Sequence, residues 1–252
     1  MRELVANRFA NAYEHYSSFF TIFTKIFETD EGNWLLPALA SVCHDLRVIA
    51  TLAEDELQNS VEAKLERAQG KSGSKLEDAA RLLSKCFQRT TTDRAPIEVS
   101  KKFGALSVIN NLFHLYFRLH NVRLCRNPVR SVENKHFPSL QRFPLSQRVT
   151  FAYFRGRVAL TEGDAAKAAE ELAFAFERQP RGALTTKRRA LLYLVPARLA
   201  LRQYPPVALL KKYNLEQYAE LSEAVRTGDI RAFNENLERH REFFITHSVY
   251  LL

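Results

Sequence analysis

A chain of 252 residues that is 46% hydrophobic, 26% charged and 11% aromatic is long enough to bury a sizeable core and too apolar to be disordered throughout. Only 8 Gly and 9 Pro punctuate it, and apolar residues recur at three- and four-residue steps, so long helices are favoured and an all-β fold is disfavoured. The net charge of +9 sets 37 basic against 28 acidic residues, and the three cysteines Cys43, Cys86 and Cys125 form no CxxC pair, which argues against a disulfide framework or a zinc knuckle and for a reducing compartment.

The opening residues 1–8 lack an apolar core followed by a small-residue cleavage site, and no stretch reaches about 18 uncharged apolar residues. The expectation is a soluble, intracellular protein with no membrane partner. Phe9, Tyr13, Tyr16, Phe20, Phe23 and Phe27 then form the stripe of an amphipathic helix. A second helix is predicted after Glu31-Gly32-Asn33, with Asn33 as its cap, Pro37 in its first turn, and Trp34, Leu35, Leu39, Val42, Leu46 and Ile49 on its apolar face.

Residues 68–76 read as a flexible connector. Its Gly70-Lys71-Ser72 is no phosphate loop, because Leu65 stands where the required upstream glycine belongs and the preceding pattern is helical rather than extended. Beyond Pro96, Leu106, Ile109, Phe113, Tyr116 and Phe117 mark a well-buried helix; its His114 and His120 lack metal-ligand spacing. From Asn127-Pro128 to Phe143-Pro144 the sequence reads as a short helix and a loop joining two halves.

The second half contains an internal echo. Tyr153, Gly156, Ala159 and Leu160 precede Glu162-Gly163-Asp164, and Ala165, Ala168, Ala169, Leu172, Ala175 and Phe176 follow it. A left-handed Gly163 ending one helix and an Asp164 capping the next make the corner of a helical hairpin, and Gly228-Asp229 repeats the device. Between the corners, residues 190–201 are apolar nearly all round and contain Pro196, and Pro205-Pro206 opens a short helix ending near Lys211-Lys212. These segments read as layers of one right-handed helical stack.

The charge is banded. Residues 1–117 carry 14 basic and 15 acidic groups, residues 118–157 carry 9 basic groups and the single acid Glu133, and residues 178–212 carry 9 basic groups and no acid. Such bands suit a polyanion through counterion release or an acidic protein through complementarity. No HExxH, GxSxG, GxGxxG or GxxxxGK[ST] pattern occurs, so no enzymatic activity and no cofactor is expected.

Several runs resemble one family. Phe143-Pro144-Leu145-Ser146-Gln147-Arg148, Tyr153-Phe154-Arg155-Gly156-Arg157, Glu170-Glu171-Leu172-Ala173-Phe174-Ala175-Phe176-Glu177, Lys187-Arg188-Arg189, Leu192-Tyr193-Leu194-Val195-Pro196 and Leu209-Leu210-Lys211-Lys212-Tyr213 follow in the order found in PCI-domain proteins of the mRNA-export type. Asn33-Trp34-Leu35-Leu36-Pro37 and Ser100-Lys101-Lys102-Phe103-Gly104 extend the likeness into the first half.

The resemblance implies an all-α fold: a right-handed stack of helical hairpins, TPR-like, with an N-terminal helical-repeat region over 1–130 and the helical part of a PCI domain over 131–252. It also implies a nuclear scaffold subunit of a transcription-coupled export complex of the TREX two type, partnered by a Sac-type scaffold protein and a small acidic Sem/DSS-type subunit, with RNA or DNA bound by the complex. Alternatives are a COP9 signalosome or proteasome-lid-like assembly, or a stand-alone basic RNA- or DNA-binding protein. Candidate contacts to a partner or nucleic acid are Arg181, Lys187, Arg188, Arg189, Lys211 and Lys212. The chain stops at Tyr250-Leu251-Leu252, where the family's winged helix would begin. The winged helix is therefore expected to be missing or truncated, leaving an exposed apolar patch around Phe243, Phe244, Ile245, Val249, Tyr250, Leu251 and Leu252.

Overall fold

The computed structural model describes residues 9–30, 32–59 and 74–250, and among these residues every regular element is helical. The chain divides into two compact units, Met1–Gln147 and Arg148–Leu252.

In the first unit, α1 (Phe9–Thr29) packs on α2 (Leu36–Asn59), and α2 also packs on α3 (Lys75–Thr91) and α4 (Ala105–Arg118). The predicted aromatic stripe of α1 turns inward: Tyr13, Phe20 and Phe27 are buried. Its opposite side is apolar as well, with Phe19, Ile22 and Ile26 exposed. By length and composition α2 is apolar enough to cross a membrane, yet it carries Asp45 and Arg47, and its buried Leu39, Cys43, Leu46 and Ile49 build the core of this unit.

Two local expectations change. The Asn33 side chain does not cap α2; its amide donates to the Glu98 carbonyl at 2.9 Å, and the helix starts at Leu36, whose N–H bonds the Asn33 carbonyl. Trp34 therefore precedes the helix and is 71% exposed, its indole N–H held by Asp30 Oδ1 at 3.1 Å. The connector expected over 68–76 lies mostly outside the described residues, including Gly70-Lys71-Ser72. Its last two residues, Lys75 and Leu76, already belong to α3. The local sequence offers α3 no side-chain cap, but the buried Glu54 carboxylate of α2 accepts the Lys75 N–H at 3.0 Å and the Ser74 hydroxyl at 3.2 Å. A carboxylate supplied by a neighbouring helix thus satisfies orphan donors and meets the positive end of the helix dipole.

The helix predicted beyond Pro96 is α4, which begins at Ala105 after a 3-10 turn over Lys101–Gly104; Leu106, Ile109 and Phe113 are fully buried. Lys101 Nζ reaches back to the carbonyls of Glu28 and Asp30 at 3.1 and 2.6 Å, a cation at the C-terminal end of α1. The short helix expected in the joining segment is α5 (Arg126–Val132), anchored by buried Pro128, Val129 and Val132.

In the second unit both Gly-Asp corners form as the sequence indicates. Gly163 has φ +81° and Gly228 φ +74°. Asp164 accepts the Lys167 N–H at 3.0 Å and Asp229 accepts the Ala232 N–H at 2.9 Å. These corners join α6 (Leu145–Thr161) to α7 (Ala165–Glu177), and α10 (Gln217–Thr227) to α11 (Ile230–Arg239). Gly156 sets the approach of the first pair, since a Cβ there would meet Leu172 Cγ at 2.6 Å. Beside it the Arg155 guanidinium pairs with the buried Glu171 carboxylate.

The long central helix is α8 (Leu184–Ala200), which starts six residues before the stretch that is apolar all round. Pro196 lacks the N–H that would bond the Leu192 carbonyl one turn earlier. Tyr218 of α10 supplies the missing donor: its hydroxyl bonds Leu192 O at 2.8 Å. Burial pushes the Tyr218 phenol well above the ordinary tyrosine range, so it stays a donor.

The short α9 (Val207–Lys212) follows Pro205-Pro206 as expected, and α12 (Arg241–Thr246) ends the described helices. The apolar patch expected near residue 250 is corrected. Phe244 and Val249 are 2% and 6% exposed and join Tyr218 in the core, Phe243 and Tyr250 pack against it while staying partly exposed, and Ile245 faces solvent; Leu251 and Leu252 lie outside the described residues. The turn at Ser248 folds this segment back, with the Val249 N–H on the Phe244 carbonyl at 2.9 Å.

Candidate interaction surface

Cations near the start of a helix oppose its dipole, so Lys187, Arg188 and Arg189 near the start of α8 are not there to stabilise that helix. The structure gives each a different place. Lys187 is buried, with Nζ 4.9 Å from the centre of the Phe176 ring. Arg188 reaches across to the end of α9, where Nε donates to Tyr213 O at 3.0 Å and Nη2 to Asn214 O at 3.3 Å. Arg189 is exposed. Phe176 and Tyr213 meet edge to face at 5.5 Å, so α7, α8 and α9 share one aromatic joint under these cations.

The Arg188 bonds bring the C-terminal end of α9 to the first turns of α8. Lys211 and Lys212 at that end of α9 are exposed, and Lys212 Nζ stands 5.8 Å from the Tyr213 ring centre; Arg189 is exposed on α8, where its charge acts on the Tyr193 phenol. Arg181 is exposed on the segment leading into α8. Of the six sequence candidates, Arg181, Arg189, Lys211 and Lys212 present their charge to solvent. Lys187 is packed into the helix joint, and Arg188 bridges two helices. Residues 178–212 themselves contain no acid.

Elsewhere in this unit several arginines lie against aromatic rings. The Arg157 guanidinium lies 4.1 Å from the Tyr193 ring centre and 5.4 Å from that of Tyr153. Arg148 and Arg178 approach Phe174 at 5.5 and 5.9 Å. These cation–π contacts retain the charge while covering aromatic surface. Glu171 is pushed upward by burial, with Arg155 opposing the shift. On the surface of α10 to α12, Glu223 with Arg226, Glu235 with Arg231, Glu220 with Arg239 and Glu238 with Arg241 form ion pairs, so that face is largely self-neutralised. Among the described residues no group of three His, Cys, Asp or Glu side chains is placed to hold a metal ion.

Composition alone left the two basic bands equivalent, whereas the packing separates them residue by residue. Arginine followed by an aromatic four residues away, or the reverse, as in Tyr153 and Arg157, was the available signal for a packed cation.

No family model matches the chain. PCI domain-containing protein 2 of Xenopus laevis is 37% identical over 246 residues, covering 97% of this chain and 59% of that protein. The PCI domain-containing protein 2 homolog of Dictyostelium discoideum is 36% identical over 257 residues, covering 99% and 57%. Protein CSN12 homolog of Neurospora crassa is 33% identical over 232 residues, covering 86% and 51%. The chain thus spans a little over half the length of these curated relatives. With an all-helical structure over the described residues and similarity along nearly its whole length, the chain belongs to the PCI-domain family that these relatives represent.

Proposed function

We propose that the protein is a non-enzymatic scaffold subunit of a nuclear, transcription-coupled mRNA-export complex of the TREX two type. In this reading the helical hairpins form a right-handed, TPR-like stack, a Sac-type scaffold protein pairs with it, and a small acidic Sem/DSS-type subunit lies along the exposed basic residues. The assembled complex binds RNA or DNA. The observation that carries the reading is the exposed basic charge of this segment: Arg181, Arg189, Lys211 and Lys212 face solvent, and residues 178–212 contain no acid. Such a surface favours a polyanionic partner and speeds its encounter.

A second reading, membership of a COP9 signalosome-like assembly, is favoured by the similarity to the protein named CSN12 homolog. Affinity purification of the protein tagged at its own locus, with nuclease treatment, separates the two. Recovery of a Sac-type scaffold and a small acidic subunit after nuclease supports the export reading; recovery of signalosome subunits, or of nuclease-sensitive partners alone, overturns it.

A further inference from the structure

A second basic surface lies in the first unit and includes none of the candidates above. Helix α5 buries Pro128, Val129 and Val132 and leaves Arg126 and Arg130 exposed one turn apart, and Arg123 is exposed in the 3-10 turn Val122–Cys125 that leads into it. The single acid between residues 118 and 157, Glu133, follows at the end of the same helix.

Next to this row is a polar hollow of about 200 Å³ lined by Thr91, Lys102, Ser131, Asn134, His136 and Phe137. Its hydrogen-bonding groups are partly committed. The Ser131 hydroxyl donates to the Asn127 carbonyl, the Thr91 hydroxyl lies against the Phe87 and Gln88 carbonyls, and Asn134 Oδ1 accepts the His136 N–H. Lys102 Nζ spends one of its three protons on the His136 carbonyl at 3.3 Å. The rest of its charge and the Asn134 amide N–H groups remain for an anionic oxygen.

Phe137 makes this surface more than a charged patch. Its ring stacks on Phe143 with 5.6 Å between centroids and planes 1° apart; Phe143 leans on Phe103, which in turn carries the Arg142 guanidinium at 5.2 Å. A half-buried aromatic thus lines the hollow, stacked on a second ring, with Lys102 and His136 in the same lining. An aromatic ring beside cationic and amide groups suits a stacked, unpaired nucleobase with its phosphate alongside.

The geometry points to a seat for single-stranded nucleic acid in the first unit: one phosphate in the hollow at Lys102 and Asn134, its base on Phe137, and neighbouring phosphates along Arg130 and Arg123. This deepens the nucleic-acid part of the function proposed above and rests on it, but it assigns direct contact to this chain without partners.

The test uses the purified full chain with fluorescein-labelled oligouridylate and oligodeoxythymidylate, following anisotropy over a salt series, with melting curves of each variant as the folding control. Phe137→Leu is expected to weaken binding about tenfold through lost stacking. Arg123→Ala with Arg130→Ala is expected to reduce the salt slope of log K by about 1.4, two phosphate contacts at about 0.7 each for a single strand. A stronger signal for RNA than for DNA identifies RNA as the strand, and the reverse identifies DNA.

Wild-type binding by both variants overturns the proposal, as does displacement of the oligonucleotide by polyglutamate from wild type and Phe137→Leu alike, which makes the partner an acidic protein. If Phe137→Leu does not fold, the arginine pair decides. A chain that binds no oligonucleotide overturns this inference while leaving recovery of the Sac-type scaffold, the test of the export reading, unaffected.

Discussion

Single residues here act through close approach and through donors that cross between helices. At Gly156 an added methyl gains about 1 kcal/mol of helix propensity. It also drives a Cβ to 2.6 Å from Leu172 Cγ, a contact that real side chains avoid. Overpacking of this kind costs about 1–3 kcal/mol and outweighs the gain. Gly156→Ala should therefore melt at a lower temperature than wild type; an equal or higher melting temperature would show that α6 and α7 separate freely.

Asp93 offers a pH-dependent counterpart. Burial pushes its carboxyl up, but the Lys101 N–H at 2.7 Å, the Ser100 hydroxyl at 2.8 Å and the Ala95 N–H at 3.2 Å win, and hold it below the usual aspartate range. Because the native value is depressed, this stabilisation is present above the unfolded-state value and is lost as pH falls through the native one. Asp93→Ala is expected to cost about 1–2 kcal/mol at neutral pH. Urea melts of wild type and variant should converge in acid; a gap that stays constant with pH would assign the loss to packing instead.

At the scale of elements, the two Gly-Asp corners were legible in sequence because their signals are local: a residue free to take positive φ, then a side chain that accepts an N–H three residues on. Asp164→Ala and Asp229→Ala should each lower stability by about 1 kcal/mol. Denaturant melts that leave either variant at wild-type stability would mean that packing alone sets the corner. The capping of α3 was not legible, because its acceptor, Glu54, comes from 20 residues upstream. Likewise, nothing near Pro196 announces that Tyr218 replaces its missing donor. Leu76, Ala79, Ala80, Leu83, Cys86 and Phe87 carry the helical period of α3, but its first turn overlaps the Gly- and Ser-rich connector, which obscures where the helix begins.

Over the whole molecule the net charge resolves into packed cations and presented ones, and this separates folding from binding. Charge reversal at Arg181, Arg189, Lys211 and Lys212 should leave the melting temperature close to wild type, because exposed substitutions shift stability by within about 0.5 kcal/mol, while weakening capture of an acidic partner at low salt. Lys187→Glu places a new acid in a buried joint beside Phe176 and should destabilise by about 3 kcal/mol or more. Calorimetry and partner capture run side by side would expose a failure: full partner capture by the four-residue variant removes those cations from the interface, and a stable Lys187→Glu shows that the joint is open to water.

Periodicity, composition and breaker residues by themselves determined that the chain is helical, where its hairpin corners fall and that its positive charge is banded, because each of these depends on neighbours within a few positions. Tertiary structure decided which cations are spent. Arg188 and Arg157 meet their partners 25 and 36 residues away, on the Tyr213 carbonyl and the Tyr193 ring. The same holds for the terminal apolar run. Read alone, Phe244 and Val249 look exposed for want of a partner; in the fold they are buried because Tyr218 and its neighbours were already there to receive them. Burial and pairing are properties of distance in space, which the order of residues along the chain does not encode locally.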